Sequence, residues 1–174
     1  MIVRPATLPD LIWIRMLYAQ LLEEVRPLYP SYDATDLESF TSSVAARLGA
    51  DPHLVCWVAE DGPVIGGFVI GEILHRLIGH PRIFATAHWL YIVPPWRNQG
   101  VGRALSSVAI EDFIARGAQA IELAAVPGDS QWAHRGWTPV ATTYSLPPDA
   151  ARATVIPHGP ANGTGQHVDE VSSP

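Results

Sequence analysis

Charged residues and cysteine are both scarce in this chain, and each scarcity excludes a class of protein. Charged residues make up only 16% of the 174 residues and the formal net charge is -6, so the basic surface that binds nucleic acid is missing and we expect no nucleic-acid partner. An acidic balance is compatible with a cationic substrate such as an amine. Cys56 is the sole cysteine, which excludes an intramolecular disulfide and a multi-cysteine metal site.

Long apolar runs are absent as well. No stretch approaches the roughly 18 uninterrupted apolar residues that a membrane-spanning helix needs, so we expect no membrane partner. The opening MIVRPATLPD has neither a basic leader nor an apolar core, and we therefore expect no signal peptide and a cytoplasmic location. The histidines show no pair at metal-ligand spacing on a credible element, so we expect no metal.

The hydrophobic pattern that is present switches between helical and strand periods, which predicts an α/β (α+β) fold. Thr7 and Asp10 are spaced as a capping box at the start of the first helix. The predicted helices are residues 8–24, 35–48, 102–116 and a short one at 129–135; the predicted strands are 2–4, 53–60, 64–74, 83–93, 120–126 and 137–146.

The pattern stops after Leu146. Residues 147–174 hold five of the 16 prolines, three of the 14 glycines and few large apolar side chains. We therefore expect one domain at 1–146 and a flexible Pro/Gly-rich tail at 147–174.

The segment VPPWRNQGVGRAL, residues 93–105, carries the clearest functional signal. Its glycines lie between a predicted strand and a predicted helix, where backbone N–H groups and the positive end of the helix dipole bind anions such as a pyrophosphate. Two rival phosphate motifs fail: the dinucleotide fingerprint lacks its third glycine, which is replaced by Leu105, and no lysine follows Gly102 as a Walker loop requires.

The segment does match [Arg/Gln]-x-x-Gly-x-[Gly/Ala], and with the order of elements it resembles the GNAT superfamily of N-acetyltransferases over residues 2–146. The resemblance implies a mixed central sheet of six to seven strands flanked by about four helices. It implies acetyl-CoA as acyl donor, no metal, and direct attack of an amine on the thioester. The residues it assigns to CoA are Tyr91, Ile92 and Val93 for the pantetheine arm, and Arg97, Asn98, Gln99, Gly100, Val101, Gly102 and Arg103 for the pyrophosphate.

The usual catalytic pair of the family is replaced in this sequence. Where family members commonly carry a glutamate on the central strand, this chain has Ala87, and its neighbour His88 has the right chemistry for a base but lies on the opposite face unless a β-bulge shifts the alternation. Glu72 is the next candidate, and an ordered water is the third.

The usual tyrosine acid is replaced by Trp132, which cannot usefully give up a proton, so Tyr144, Ser130 or solvent is left to protonate the thiolate. The acceptor amine is not identified by any motif, and a homodimer stays open. A CoA-binding sensor without turnover and a nucleotide-binding domain are the alternatives to an enzyme.

Overall fold

The computed structural model describes residues 1–27, 34–76 and 82–123, all within one structural unit, Met1–Pro127. These residues form five strands, three α-helices and two short 3₁₀ turns. The strands are β1 (Ile2–Pro5), β2 (Leu54–Asp61), β3 (Val64–His75), β4 (Ile83–Ile92) and β5 (Ala120–Leu123); the helices are α1 (Leu11–Val25), α2 (Ala34–Arg47) and α3 (Val101–Ala115).

The first helix begins with the predicted capping box, although the box closes a 3₁₀ turn (Leu8–Asp10) rather than the α-helix itself. The Asp10 carboxylate accepts hydrogen bonds from the Thr7 backbone N–H (2.7 Å) and the Thr7 hydroxyl (2.8 Å). Arg4 adds two further bonds to the same carboxylate, at 2.7 and 2.9 Å, and so ties β1 to the start of α1.

The five strands form one mixed sheet in the order β1-β2-β3-β4-β5. The first four are antiparallel neighbours, and β5 lies parallel to β4 after the crossover through α3. The predicted β4–helix–β5 unit is therefore confirmed, and so is the mixed sheet.

A β-bulge interrupts the pairing of β3 with β4. Ile70 is opposite Trp89 and Gly71 is opposite Ala87, so His88 is the extra residue. A Cβ on Gly71 would lie 2.4 Å from the Thr86 carbonyl oxygen and 2.6 Å from the Phe113 ring, which explains why a glycine faces the bulge. A bulge of this kind reverses the alternation of side chains along β4.

The sheet has a hydrophobic core on each face. On one face α1 and α2 pack on Phe68, Ile70 and Tyr91. On the other face α3 packs through Leu105 and Phe113. The fold class is confirmed; the short helix expected at 129–135 and the strand expected at 137–146 lie outside the described residues.

Candidate active site

The loop that follows β4 has an irregular backbone. Pro94–Trp96 form a 3₁₀ turn, closed by the Trp96 N–H to the Val93 carbonyl at 2.9 Å. Asn98 (φ 61°) and Gly100 (φ 84°) then take left-handed conformations. Such alternation turns successive backbone N–H groups toward one side, which is the geometry of an anion nest.

Helix α3 begins directly after this loop, with Gly100 as its N-cap residue. The first bond inside the helix runs from the Ala104 N–H to the Gly100 carbonyl at 3.0 Å. The amides of Val101, Gly102 and Arg103 precede that bond, and the first amides of an α-helix have no acceptor within the helix. Together with the helix dipole they supply the donors and the partial positive charge that an anion site needs, and the binding of a pyrophosphate here stays a prediction.

The side chain of Arg97, which the resemblance assigns to the pyrophosphate, is hydrogen-bonded to protein groups in this structure. Its guanidinium donates to both carboxylate oxygens of Glu24 on α1, at 2.7 and 2.8 Å, and its Nε donates to the Ile92 carbonyl at 2.8 Å. The Tyr91 hydroxyl donates to Glu24 as well, at 2.9 Å. In this structure Arg97 therefore fastens the loop to α1 and to the end of β4.

These contacts shift the pKa of the groups involved. Burial raises the pKa of Glu24, but the hydrogen bonds from Arg97 and Tyr91 outweigh it and the net pKa is lowered. Burial and the bond to Glu24 raise the pKa of Tyr91 to about 12, so its phenol stays protonated at neutral pH. The phenol of Tyr91 is therefore a hydrogen-bond donor to Glu24 and is no candidate for a base.

The end of β4 has one amide that is already used. The Val93 N–H donates to the Gly66 carbonyl at 2.9 Å, so it points toward β3. Because backbone groups of successive strand residues point in opposite directions, the amides of Leu90 and Ile92 point away from β3. An amide that polarises a thioester on that side must therefore be one of these two rather than that of Val93.

The two candidate bases, His88 and Glu72, are in direct contact. The His88 Nε2 lies 2.8 Å from Oε1 of Glu72, and the side chains are 37% and 25% exposed. His88 lies on the same face as Glu72 and opposite to Ala87, which is the alternation expected between neighbouring strand residues, and the bulge places Trp89 on that face as well. The sequence offered the two residues as alternatives, whereas the structure shows them as a pair.

Arg47 on α2 holds the Glu72 side of this pair in place. It donates to Oε2 of Glu72 at 2.8 Å and, through Nε, to Asp51 at 2.7 Å. Burial raises the pKa of Glu72, but the hydrogen bond and charge of Arg47, with a smaller contribution from His88, lower it below its ordinary value. Glu72 is therefore a carboxylate at neutral pH and holds the ring of His88 by one oxygen.

His88 and Glu72 line a cleft of about 180 Å³ between α2 and the sheet. Its wall is mostly apolar, with Phe40, Val44 and Ile70 among the residues that line it. An imidazole held by a carboxylate beside an apolar cleft is an arrangement that can accept a proton from a bound nucleophile.

Comparison with known proteins decides the family. Residues 15–137, well over half of the chain, match the Acetyltransferase (GNAT) family. The chain belongs to the GNAT acetyltransferase family. No curated protein matches the sequence significantly.

Solved structures share this GNAT fold. The tetramutant of the BH1408 protein from Bacillus halodurans has a TM-score of 0.70 and 21% identity, over 84% of this chain and 99% of that one. A GCN5-related N-acetyltransferase from Ralstonia eutropha JMP134 has a TM-score of 0.69 and 24% identity, over 83% and 97%. An aminoglycoside N-acetyltransferase in complex with CoA has a TM-score of 0.63 and 18% identity, over 83% and 93%.

Cys56, the one cysteine of this GNAT chain, is a buried free thiol. It is 6% exposed, and burial raises the pKa of its thiol to about 12, so no thiolate is present to carry an acyl group. Within residues 1–27, 34–76 and 82–123 there is also no group of three His, Cys, Asp or Glu side chains that would hold a metal, and no helix long and apolar enough to cross a membrane.

The acid candidates Tyr144 and Ser130, and Trp132 with them, lie outside the described residues. Two residues at the site were not predicted from the sequence, Arg47 and Glu24. Each is an ordinary charged residue on an amphipathic helix, and its partner is 25 or 73 positions away. No spacing rule joins residues so far apart in sequence, so only the fold brings them together.

Proposed function

We propose that this GNAT chain is an acetyl-CoA-dependent N-acyltransferase that moves an acetyl group to an amine by direct attack on the thioester. The observation that carries the proposal is the course of β4. The strand holds His88 against Glu72 at its bulge and ends at Ile92, just before the loop that leads into the start of α3. One continuous strand thus connects the proposed base to the proposed pyrophosphate site.

Each part has a chemical role in this proposal. The amides of Val101, Gly102 and Arg103 bind the pyrophosphate of CoA. The choice of CoA is supported by the structural neighbour that was solved with CoA, an aminoglycoside N-acetyltransferase. The backbone of Tyr91–Val93 binds the pantetheine arm. The amide of Leu90 or Ile92 polarises the thioester carbonyl.

His88 is the general base in the transfer step. The amine nitrogen forms a bond to the thioester carbonyl carbon, the C–S bond breaks, and CoA leaves as a thiolate. His88 takes the proton that the amine loses, and Glu72 stabilises the imidazolium that forms. The thiolate is protonated by Tyr144, Ser130 or water.

The test is a thiol-release assay with acetyl-CoA and a panel of primary amines. For His88→Ala we expect kcat to fall by about 10²–10⁴, because that is what a positioned acid or base contributes. The matched control is His53→Ala, which removes an exposed histidine before β2. The Kd for CoA should stay unchanged in both variants, since the pyrophosphate amides are untouched.

The results separate the enzyme from its alternatives. Tight CoA binding with no thiol released for any amine would contradict the proposal and favour a GNAT-fold sensor. Failure of CoA to bind, with ATP or NAD raising the Tm instead, would indicate a nucleotide-binding domain. Full activity of His88→Ala would leave an acyltransferase whose base is a water or Glu72 alone.

A further inference from the structure

The chemistry of the cleft beside His88 indicates which kind of amine it accepts. The cleft lies between α2 and the face of β2, β3 and β4 that α2 covers. Its described lining consists of Phe40, Ser43, Val44, Arg47, Leu54, Ile70, Glu72, His88 and Trp89.

Polarity changes along the cleft in one direction. On α2, Phe40 and Val44 are apolar and Arg47 follows one turn later. On β3, Ile70 is apolar and Glu72 is the next residue on the same face. The Arg47–Glu72 contact at 2.8 Å joins the two polar ends. The cleft therefore has an apolar body and one polar end, where the side chains of Arg47, Glu72 and His88 lie. Leu54, the cross-strand partner of Glu72, is the apolar neighbour at that end.

Aromatic rings stiffen the apolar part. The ring of Phe40 stacks on Tyr18 with centroids 3.7 Å apart, and Tyr18 meets Trp89 edge-on at 5.9 Å. Val44 and Ile70 are each 4% exposed. Walls made of packed rings and buried aliphatic side chains favour an apolar ligand of fixed shape over a flexible polar one.

Among the lining residues that the structure describes, the polar end offers no second carboxylate for another ammonium group. Glu72 is the one carboxylate of the described lining, with Oε1 on His88 and Oε2 on Arg47. Asp51, which lies behind Arg47, accepts from Arg47 and from the His53 N–H. A second ammonium group on the acceptor would have to enter the apolar wall without a partner, which is costly.

The size of the cleft agrees with its chemistry. At about 180 Å³ it is smaller than the roughly 300–1,000 Å³ of pockets that take drug-sized ligands. From these observations we propose that the acceptor is a small monoamine with an apolar or aromatic body, and that polyamines and amino sugars are rejected. This inference rests on the proposed function, since it names the amine that is acetylated.

The experiment compares amines that differ by one charge. The kcat/KM of thiol release is measured with phenethylamine, with pentylamine and with 1,5-diaminopentane, which is pentylamine with a second amino group. We expect the diamine to be poorer than pentylamine by about tenfold or more, because its second ammonium is desolvated without a partner. Phenethylamine should equal or exceed pentylamine.

A substitution in the cleft lining tests whether the lack of a second carboxylate is the reason that the diamine is the poorer substrate. Ser43→Asp places a new carboxylate at the exposed rim of the cleft, and it should raise the diamine-to-pentylamine ratio by about two- to fivefold, the upper part of the range for one exposed ion pair. Ser42→Asp adds the same charge to the neighbouring exposed position of α2, which does not line the cleft, and should leave the ratio unchanged. Neither serine is buried, so neither change threatens folding.

The outcomes distinguish this inference from the proposed function. A diamine or an aminoglycoside used as well as pentylamine, or a ratio shifted equally by both serine variants, would overturn the inference and leave the acyltransferase standing. If no amine releases thiol, the proposed function fails, and calorimetric titration of pentylamine and 1,5-diaminopentane onto the CoA-bound protein tests the cleft by itself. Binding of pentylamine at least tenfold tighter would then support the cleft chemistry, and equal or weaker binding would overturn it.

Discussion

Replacing Glu72 by glutamine tests the function of the negative charge beside His88. The change keeps the shape of the side chain, but its single amide oxygen can accept from only one of the two partners, His88 and Arg47, that the carboxylate oxygens contact. It removes the negative charge 2.8 Å from Nε2 of His88. Because His88 gains a proton during acyl transfer in the proposed mechanism, the lost charge matters more in the transition state than in the ground state.

The size of the effect follows from the exposure of the pair. A hydrogen bond to a charged group contributes about 1.5–3 kcal/mol. His88 is 37% exposed and Glu72 is 25% exposed, so solvent screens the pair and the lower value applies. About 1.5 kcal/mol corresponds to a decrease in kcat of about tenfold. The KM for acetyl-CoA should not change.

A double-mutant cycle shows whether Glu72 acts through His88. We expect Glu72→Gln to lower kcat about tenfold alone, and to have almost no further effect when His88 is already alanine, because effects of coupled residues do not add. Glu38→Gln is the control, since it removes the same charge from the exposed ion pair between Arg15 on α1 and Glu38 on α2. Two effects that multiply in the double variant would refute the reasoning, because Glu72 would then act independently of His88.

Two further predictions concern stability. The hydrogen bond from Arg4 is the main cause that lowers the pKa of Asp10 from 3.8 to about 2. The shift corresponds to about 2 kcal/mol of folding free energy, which is present above the unfolded pKa and is lost as the pH falls from about 4 toward 2. Asp10→Asn should therefore be less stable by about this amount in urea unfolding at pH 7, and the difference should shrink at low pH. A constant difference down to pH 2 would contradict this prediction. Gly71→Ala should lower the free energy of unfolding by about 1–3 kcal/mol, since the new Cβ would lie 2.4 Å from the Thr86 carbonyl oxygen, and an unchanged Tm would show that the bulge relaxes freely.

The sequence was sufficient to predict the parts of the site that depend on local chemistry. Gly100 at the N-cap of α3 needs a positive φ, and the strand, loop and helix around it are contiguous in the chain. The capping pair Thr7 and Asp10 is local as well. Such features depend on residues within a few positions of one another, and single-sequence patterns record them.

The bulge and the contacts across the sheet had to come from the fold. Strand alternation correctly places His88 on the face opposite to Ala87, but the sequence does not show that Glu72 lies on that same face within contact distance. Gly71 lies opposite the bulge, but the need for a glycine there follows from the close approach of Thr86 and Phe113, which are remote in sequence. The contact of Arg97 with Glu24, 73 positions away, illustrates the same limit, because no spacing in the sequence indicates it.

The most direct test of the proposed mechanism is a crystal structure with CoA and an unreactive analogue of pentylamine bound together. We predict the pyrophosphate on the amides of Val101, Gly102 and Arg103, and the amine nitrogen in the cleft within hydrogen-bond distance of His88. A pyrophosphate bound elsewhere, or an amine nitrogen on the α3 face of the sheet near Ala87, would contradict the mechanism.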